Sequence, residues 1–247
     1  MISFESLTKE YAQELLTHKS VALSNLSFTL SAGETLGLIG ANGAGKSTTI
    51  KLLMDFIRPS SGHITINGQS PDKFLTRKNI GYLPETVHFP ANLNILNLIN
   101  FTAATCRVKR VEAKQHREKW LKELDLWQVR KRPLRTYSKG MQQRANFVLA
   151  LMNDPALLIL DEPMSGLDPM GRDTIIKLIL RLRKEGKTIL FCSHILDDVD
   201  RLVDNVLVLH KGKEIFYGTP GKLAEQEEKQ SMADAYVALV KKEDANA

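Results

Sequence analysis

An α/β architecture built on a mostly parallel sheet follows from three observations. Short runs such as Thr35–Ile39, Leu157–Leu160, Thr188–Cys192 and Val206–Leu209 are almost uninterrupted in apolar side chains, as strands buried on both faces are. Segments between them carry apolar residues at helical spacing. Strand and helix alternate along most of the chain, the order expected of a parallel sheet covered by helices on both faces.

From the N-terminus, Leu23–Leu30 and Ile64–Ile66 read as shorter, half-buried strands separated by turn residues such as Ser60-Ser61-Gly62. Thr35–Ile39 leads through a glycine-rich loop into a helix expected over Thr48–Phe56. Ile80–Leu83 is the next buried strand. Between Glu85 and Tyr137 strand signals vanish, charges recur at helical spacing, and both tryptophans, Trp120 and Trp127, appear. We read this stretch, about residues 86–143, as a helical subdomain with the tryptophans in its core. Ala145, Val148, Leu149 and Met152 continue helically until Asp154-Pro155. A further helix carries Ile175, Leu178, Ile179 and Leu182 and stops at Gly186. Val206–Leu209, Lys211-Gly212-Lys213 and Glu214–Tyr217 read as a hairpin, and a short charged tail covers about 222–247.

Composition narrows the classes. The chain has 247 residues, enough for one sizeable α/β domain, and ordinary apolar content. No run approaches the roughly 18–20 apolar residues that span a bilayer, and Met1–Glu5 carries no secretory pattern. Cys106 and Cys192 fit no metal spacing, and Cys192, in an apolar strand, reads as a reduced core residue. A cytosolic protein is expected. The net charge of +6 permits an anionic partner without selecting one. The basic stretch Arg107–Lys119 is interrupted by Glu112 and Glu118 and reads as a solvated helix face, so no nucleic acid is expected.

The chemistry sits in two motifs. Gly40-Ala41-Asn42-Gly43-Ala44-Gly45-Lys46-Ser47 lies between an apolar strand and a helix beginning at Thr48. Glycines let successive backbone N–H groups turn onto phosphate oxygens, and the helix N-terminus adds its positive end. In this pattern Lys46 reaches the β- and γ-phosphates and Ser47 ligates Mg²⁺. The run Leu157–Leu160 then delivers two adjacent carboxylates, Asp161 and Glu162, to the C-terminal edge of a strand, where α/β sheets bind ligands. Asp161 suits the Mg²⁺ shell, and Glu162 suits a group that polarises an attacking water.

With these motifs the chain resembles the nucleotide-binding domain of an ATP-binding cassette (ABC) transporter over nearly its whole length. The resemblance implies a P-loop NTPase core with an N-terminal antiparallel β subdomain and an inserted helical subdomain. It assigns Tyr11 to stacking on adenine, and Ser138 and Gly140, in Tyr137-Ser138-Lys139-Gly140-Met141, to the signature segment. It places Asp168, in Ser165-Gly166-Leu167-Asp168, on the loop that crosses a dimer interface. His194 falls where the family has a γ-phosphate-sensing histidine, and Glu85 where most members have a glutamine serving Mg²⁺ and water. No role falls to His18, His63, His88, His116 or His210.

In the family geometry the signature segment cannot reach the nucleotide of its own chain, so two chains pair head to tail around ATP. Ser138 is a good N-cap for a helix starting near Lys139, which turns its hydroxyl and the first N–H groups toward a γ-phosphate. Tyr137, Lys139 and Met141 depart from the common Leu-Ser-Gly-Gly-Gln. Lys139 adds positive charge, and Met141 cannot make a glutamine's hydrogen bonds. Glu85 keeps an oxygen ligand for Mg²⁺ but adds negative charge. These variants resemble a branch of separately encoded ATPase subunits of drug, polysaccharide, lantibiotic and sodium exporters, alongside ATPases that assist maturation of copper enzymes.

The resemblance thus implies an ATP-hydrolysing homodimer on the cytoplasmic face of two integral membrane subunits. Glu162 would be general base, His194 the sensor and Lys46 the charge stabiliser. Soluble ABC ATPases acting on ribosomes or DNA are a second class, most of which carry two cassettes or a long coiled-coil insert. A nucleotide-dependent binding module without turnover is disfavoured by the presence of both Glu162 and His194.

Overall fold

A computed structural model describes residues 1–12, 19–86 and 88–245. His18 and the last two residues of the charged tail lie outside these. In chain order the elements are β1 (Ile2–Ala12), β2 (Lys19–Leu30), β3 (Thr35–Ile39), α1 (Lys46–Leu53), β4 (Ser61–Ile66), α2 (Phe74–Arg77), β5 (Ile80–Leu83), α3 (Ile95–Thr105), α4 (Arg110–Glu123) and α5 (Lys139–Ala150). There follow β6 (Leu157–Asp161), α6 (Pro169–Lys184), β7 (Thr188–Cys192), α7 (Leu196–Leu202), β8 (Asn205–His210), β9 (Lys213–Gly218), α8 (Pro220–Gln226) and α9 (Met232–Ala245). The chain divides into two compact units, one of residues 1–77 with 188–247 and one of residues 78–187.

The first unit holds two sheets. One is antiparallel in the order β2-β1-β4. Ile2 pairs with Leu30 and Phe4 with Phe28 across β1–β2, and the Phe4 and Phe28 rings stack with centroids 4.4 Å apart. Ile2, Phe4, Leu7, Leu23, Leu26, Leu30, Ile64 and Ile66 all point inward. Bulges shift the register of β1, and there the backbone N–H of Ser6 donates to Ser27 Oγ at 2.8 Å. Such side-chain acceptors satisfy donors that a bulge removes from the ladder.

The other sheet runs β7-β3-β8 in parallel, with β9 antiparallel at its edge. Every residue of β3 and β7 is buried, which is why both runs read as continuously apolar. Cys192 is buried, as its apolar context predicts. The strand β1 is absent from the sequence-based expectation, and β2 begins four residues before Leu23. Bulges break the two-residue alternation of β1, so its period is illegible without its partners. The tail is not merely a charged extension. It forms α8 and α9, and α9 buries Met232, Ala235 and Leu239.

The second unit contains the parallel pair β5–β6, with Ile80 opposite Leu157 and Leu83 opposite Leu160. Its helices α3, α4 and α5 pack together, and Ile95, Ile99, Trp120, Leu121, Phe147 and Val148 on them are buried. Asn94 and Asn97 form a reciprocal capping box at the start of α3. Trp120 is 3% exposed and belongs to this core. Trp127 does not: it is half-buried under the Arg130 guanidinium, 4.0 Å from its ring centroid. A planar cation covers one ring face there in place of apolar side chains. Helix α4 is mostly exposed, as its charge pattern predicts. Among the described residues no helix is long and apolar enough to cross a membrane.

Candidate functional site

In the first unit, the loop 40–45 joins β3 to α1. Gly40 has no room for a side chain, since a Cβ there would lie 2.4 Å from the carbonyl oxygen of Leu209 and 2.9 Å from Ala44 Cβ. At Gly43 the space is open, but φ is 81°, a conformation that L side chains rarely adopt. One glycine is therefore demanded by contact and the other by backbone geometry. The back of the loop is anchored to the β8–β9 turn, where Gly212 N–H donates to Ala44 O at 3.0 Å.

Helix α1 starts at Gly45 without a side-chain cap. Its opening N–H groups lack the usual side-chain acceptor, and their partial positive charge faces the loop. Lys46 is 9% exposed, and its ammonium donates to Gly40 O at 2.6 Å and to Ala41 O at 3.1 Å. Its charge is thereby held against the loop itself. Asn42, Gly43 and Ser47 are exposed, and Thr48 is half-buried. The same unit carries Tyr11 near the end of β1, 39% exposed with Lys9 Nζ 5.1 Å from its ring centroid. It also carries His194, exposed two residues beyond β7.

In the second unit, β6 ends on Asp161, and both Asp161 and Glu162 are buried, at 7% and 9% exposure. Glu162 adopts φ 49°, in the left-handed region. A non-glycine residue held there costs about 1–3 kcal/mol and persists only where its surroundings hold it. Its carbonyl accepts from Ser165 N–H at 3.0 Å. Glu85 lies exposed just beyond β5.

Ser138 caps α5 as its residue type predicts, its Oγ accepting from Met141 N–H at 3.3 Å. Tyr137 before it is anchored by its hydroxyl, which donates to Val129 O at 3.0 Å, and burial pushes the phenol pKa up. Gly140 is different from Gly40: a Cβ there would find nothing closer than Leu167 Cδ2 at 3.6 Å. No packing within the unit forbids a side chain at this position. Lys139 lays its stem over Gly166, where an added Cβ would come within 2.5 Å of it. Asp168 caps α6, accepting from Gly171 N–H at 2.9 Å. Ser138, Lys139, Gly140, Arg144, Gly166 and Asp168 thus line one cavity of about 650 Å³. Tertiary folding brings the signature segment and the 165–168 loop together, which no local pattern announces.

Two buried residues of this unit have no place in the sequence-based site. Gln143 Nε2 donates to Pro163 O at 3.0 Å and to Glu162 O at 3.4 Å. Asn146 Nδ2 donates to Pro84 O at 3.3 Å, next to Glu85. Their one legible signal is the presence of amides at positions of α5 flanked by Ala145, Phe147 and Val148. Three of the histidines without an assigned role make local contacts: His63 meets Glu5 at 2.9 Å, His116 meets Met152 O at 2.9 Å, and His210 meets Asp244 at 3.1 Å.

A phosphate loop set between a buried parallel strand and an uncapped helix places the protein among the P-loop nucleotide-binding proteins. Residues 23–165 match the family model described as ABC transporter, and the chain belongs to that family. It is 39% identical over 206 residues to an uncharacterized ABC transporter ATP-binding protein of Synechocystis sp., covering 83% of this chain and 58% of that protein. The chain therefore spans about three-fifths of that relative's length. It is 35% identical over 209 residues to Nod factor export ATP-binding protein I of Rhizobium johnstonii, covering 84% of this chain and 67% of that one. A solved structure described as the ATP binding subunit of an ABC transporter superposes with a TM-score of 0.88 at 29% identity, covering 97% of this chain and 99% of that chain.

Proposed function

We propose that this chain is the ATP-hydrolysing subunit of an ABC exporter and works as a head-to-tail pair that closes on ATP. The observation that carries this reading is the chemistry of its two halves. One unit offers an uncapped helix N-terminus and the Lys46 ammonium to phosphates. The other offers two buried carboxylates and a serine-capped helix whose Gly140 could carry a Cβ at ordinary contact distance, 3.6 Å from Leu167 Cδ2. Each is incomplete as a hydrolytic site. Gly140 supports a shared site, because among the described residues no close contact forbids a Cβ there.

In this reading Gly40, Asn42, Gly43, Ala44, Gly45, Lys46, Ser47 and Thr48 hold the phosphates, and Tyr11 stacks on adenine. Ser138, Gly140 and Asp168 act across the pair. Ser47, Asp161 and Glu85 offer hard oxygen donors, which fit Mg²⁺. The bound cation would offset phosphate charge. Glu162 orients and deprotonates the attacking water, and His194 contacts the γ-phosphate. Residues 86–143 and the loop around Glu85 would dock two membrane subunits on the cytoplasmic side. Export is favoured by the likeness to the Nod factor export protein and by the signature variants Lys139 and Met141.

Isolation of the native protein from membranes, followed by phosphate-release assays, tests the reading. Co-purification with a polypeptide of about six hydrophobic spans, each near 20 residues, is expected. Sedimentation with ribosomes and never with membranes would overturn it. Glu162→Gln should retain ATP in a dimer and slow turnover by about two orders of magnitude or more.

A further inference from the structure

The buried amides of α5 have a geometry of their own. Gln143 is 5% exposed and Asn146 is 4% exposed. A carboxamide this deep must place its donors, because an unmatched one loses its hydrogen bond to water without replacement. Both spend donors on backbone carbonyls outside the helix, those of Glu162 and Pro163 for Gln143 and that of Pro84 for Asn146. Positions 143 and 146 are three apart, so they share one face of the helix. The same helix begins at the Ser138 cap.

The carbonyls chosen are not arbitrary. Glu162 is the residue held at φ 49°, and one Nε2 group bridges its carbonyl and the next. Pro84 immediately precedes Glu85. A helix moves as a rod, so a shift at its Ser138 end is transmitted to both carbonyl groups within a few turns.

We propose that Gln143 and Asn146 are positioning residues that fix Glu162 and Glu85 to the helix bearing Ser138. The inference rests on the roles assigned above to Ser138, Glu85 and Glu162. Gln143 sets the direction of the water-polarising carboxylate, and Asn146 sets that of the Glu85 loop. A chain whose signature end is displaced also has its base displaced.

Gln143→Met keeps the side chain's length and removes its donor. Turnover should fall about 100-fold, the scale of a small misplacement of a reacting group, with KM for ATP little changed. The discriminating measurement is a double-mutant cycle. In a Glu162→Gln background the same substitution should cost less than about threefold, since the group it aims has already lost its function. An equal loss in both backgrounds would show general destabilisation and overturn the proposal. Asn146→Leu should show the same suppression in a Glu85→Ala background, and additive losses there would overturn its half. If Gln143→Met fails to fold, Gln143→Glu has the same skeleton and only acceptors when ionised, and it enters the same cycle. Slow Glu162→Gln with normal Gln143→Met defeats the bracket alone. Normal turnover in Glu162→Gln defeats the base assignment, and the bracket with it.

Discussion

The ammonium of Lys46 lies 2.6 Å from the carbonyl oxygen of Gly40, six residues back across the loop. A buried lysine charge is thus stored against the loop by hydrogen bonds that a phosphate oxygen can supplement. Lys46→Met removes the charge and leaves the apolar stem. Phosphate release should drop by about 10²–10³, the range for loss of one charge-stabilising group. Folding stability should fall by only about 1–3 kcal/mol, the cost of leaving carbonyls unpaired. Urea titration with the turnover assay separates the two. Near-normal turnover would refute the role of Lys46.

The loop glycines should respond differently to alanine. At Gly40 the added methyl meets the Leu209 carbonyl, and overpacking of this kind costs about 1–3 kcal/mol. At Gly43 it meets nothing, and only the left-handed backbone is penalised, by about 1–2 kcal/mol. Displacing Leu209 disturbs β8 as well, so Gly40→Ala should be the less stable in chemical denaturation. The opposite order would contradict the packing described.

Ser138 caps α5 and, in the proposed reading, also acts across the pair, so one substitution should test both. Ser138→Arg removes the cap of α5, costing about 0.5–2 kcal/mol in thermal or urea unfolding. It also sets a long cationic side chain beside Gly140, where the proposed reading places the partner's phosphates, so light scattering should show no ATP-driven dimer while nucleotide binding to the variant persists. A dimer that survives would refute the shared site.

The tail is pinned electrostatically. Asp244 accepts from Lys211 Nζ at 2.7 Å and lies 3.1 Å from His210 Nε2. The Lys211 hydrogen bond, with smaller help from the His210 side chain, holds the Asp244 pKa below its ordinary value. A depressed carboxylate pKa contributes stability above the unfolded value, and that contribution is lost as pH falls through the folded value. Protection against hydrogen exchange at the end of α9, measured relative to the intrinsic rate, should therefore fall as pH drops below the ordinary aspartate range. Asp244→Asn should exchange fast already at neutral pH and lose that dependence. An unchanged acid profile in the variant would exclude this clasp.

Much of the site is readable because its groups are contiguous. The phosphate loop, the Asp161-Glu162 pair and the Ser138 cap each occupy neighbouring positions, so their chemistry survives in one dimension. Buried strands such as β3 and β7 are legible for a related reason: burial on both faces makes every residue apolar. Trp127 is misread because a guanidinium can cover an aromatic face as well as an apolar neighbour does, and the sequence does not say which will arrive.

The amino-acid sequence by itself determines the alternating α/β order, the phosphate loop and the residue types that can carry hydrolysis. These depend on local periodicity and on groups adjacent in the chain. Only the tertiary structure decides that Gly40 must be bare because Leu209 stands behind it, that Lys139 lies on Gly166, and that Gln143 and Asn146 grip the carbonyls beside two carboxylates. Each of those facts joins atoms remote in sequence, and a contact of that kind has no period, spacing or motif from which to read it.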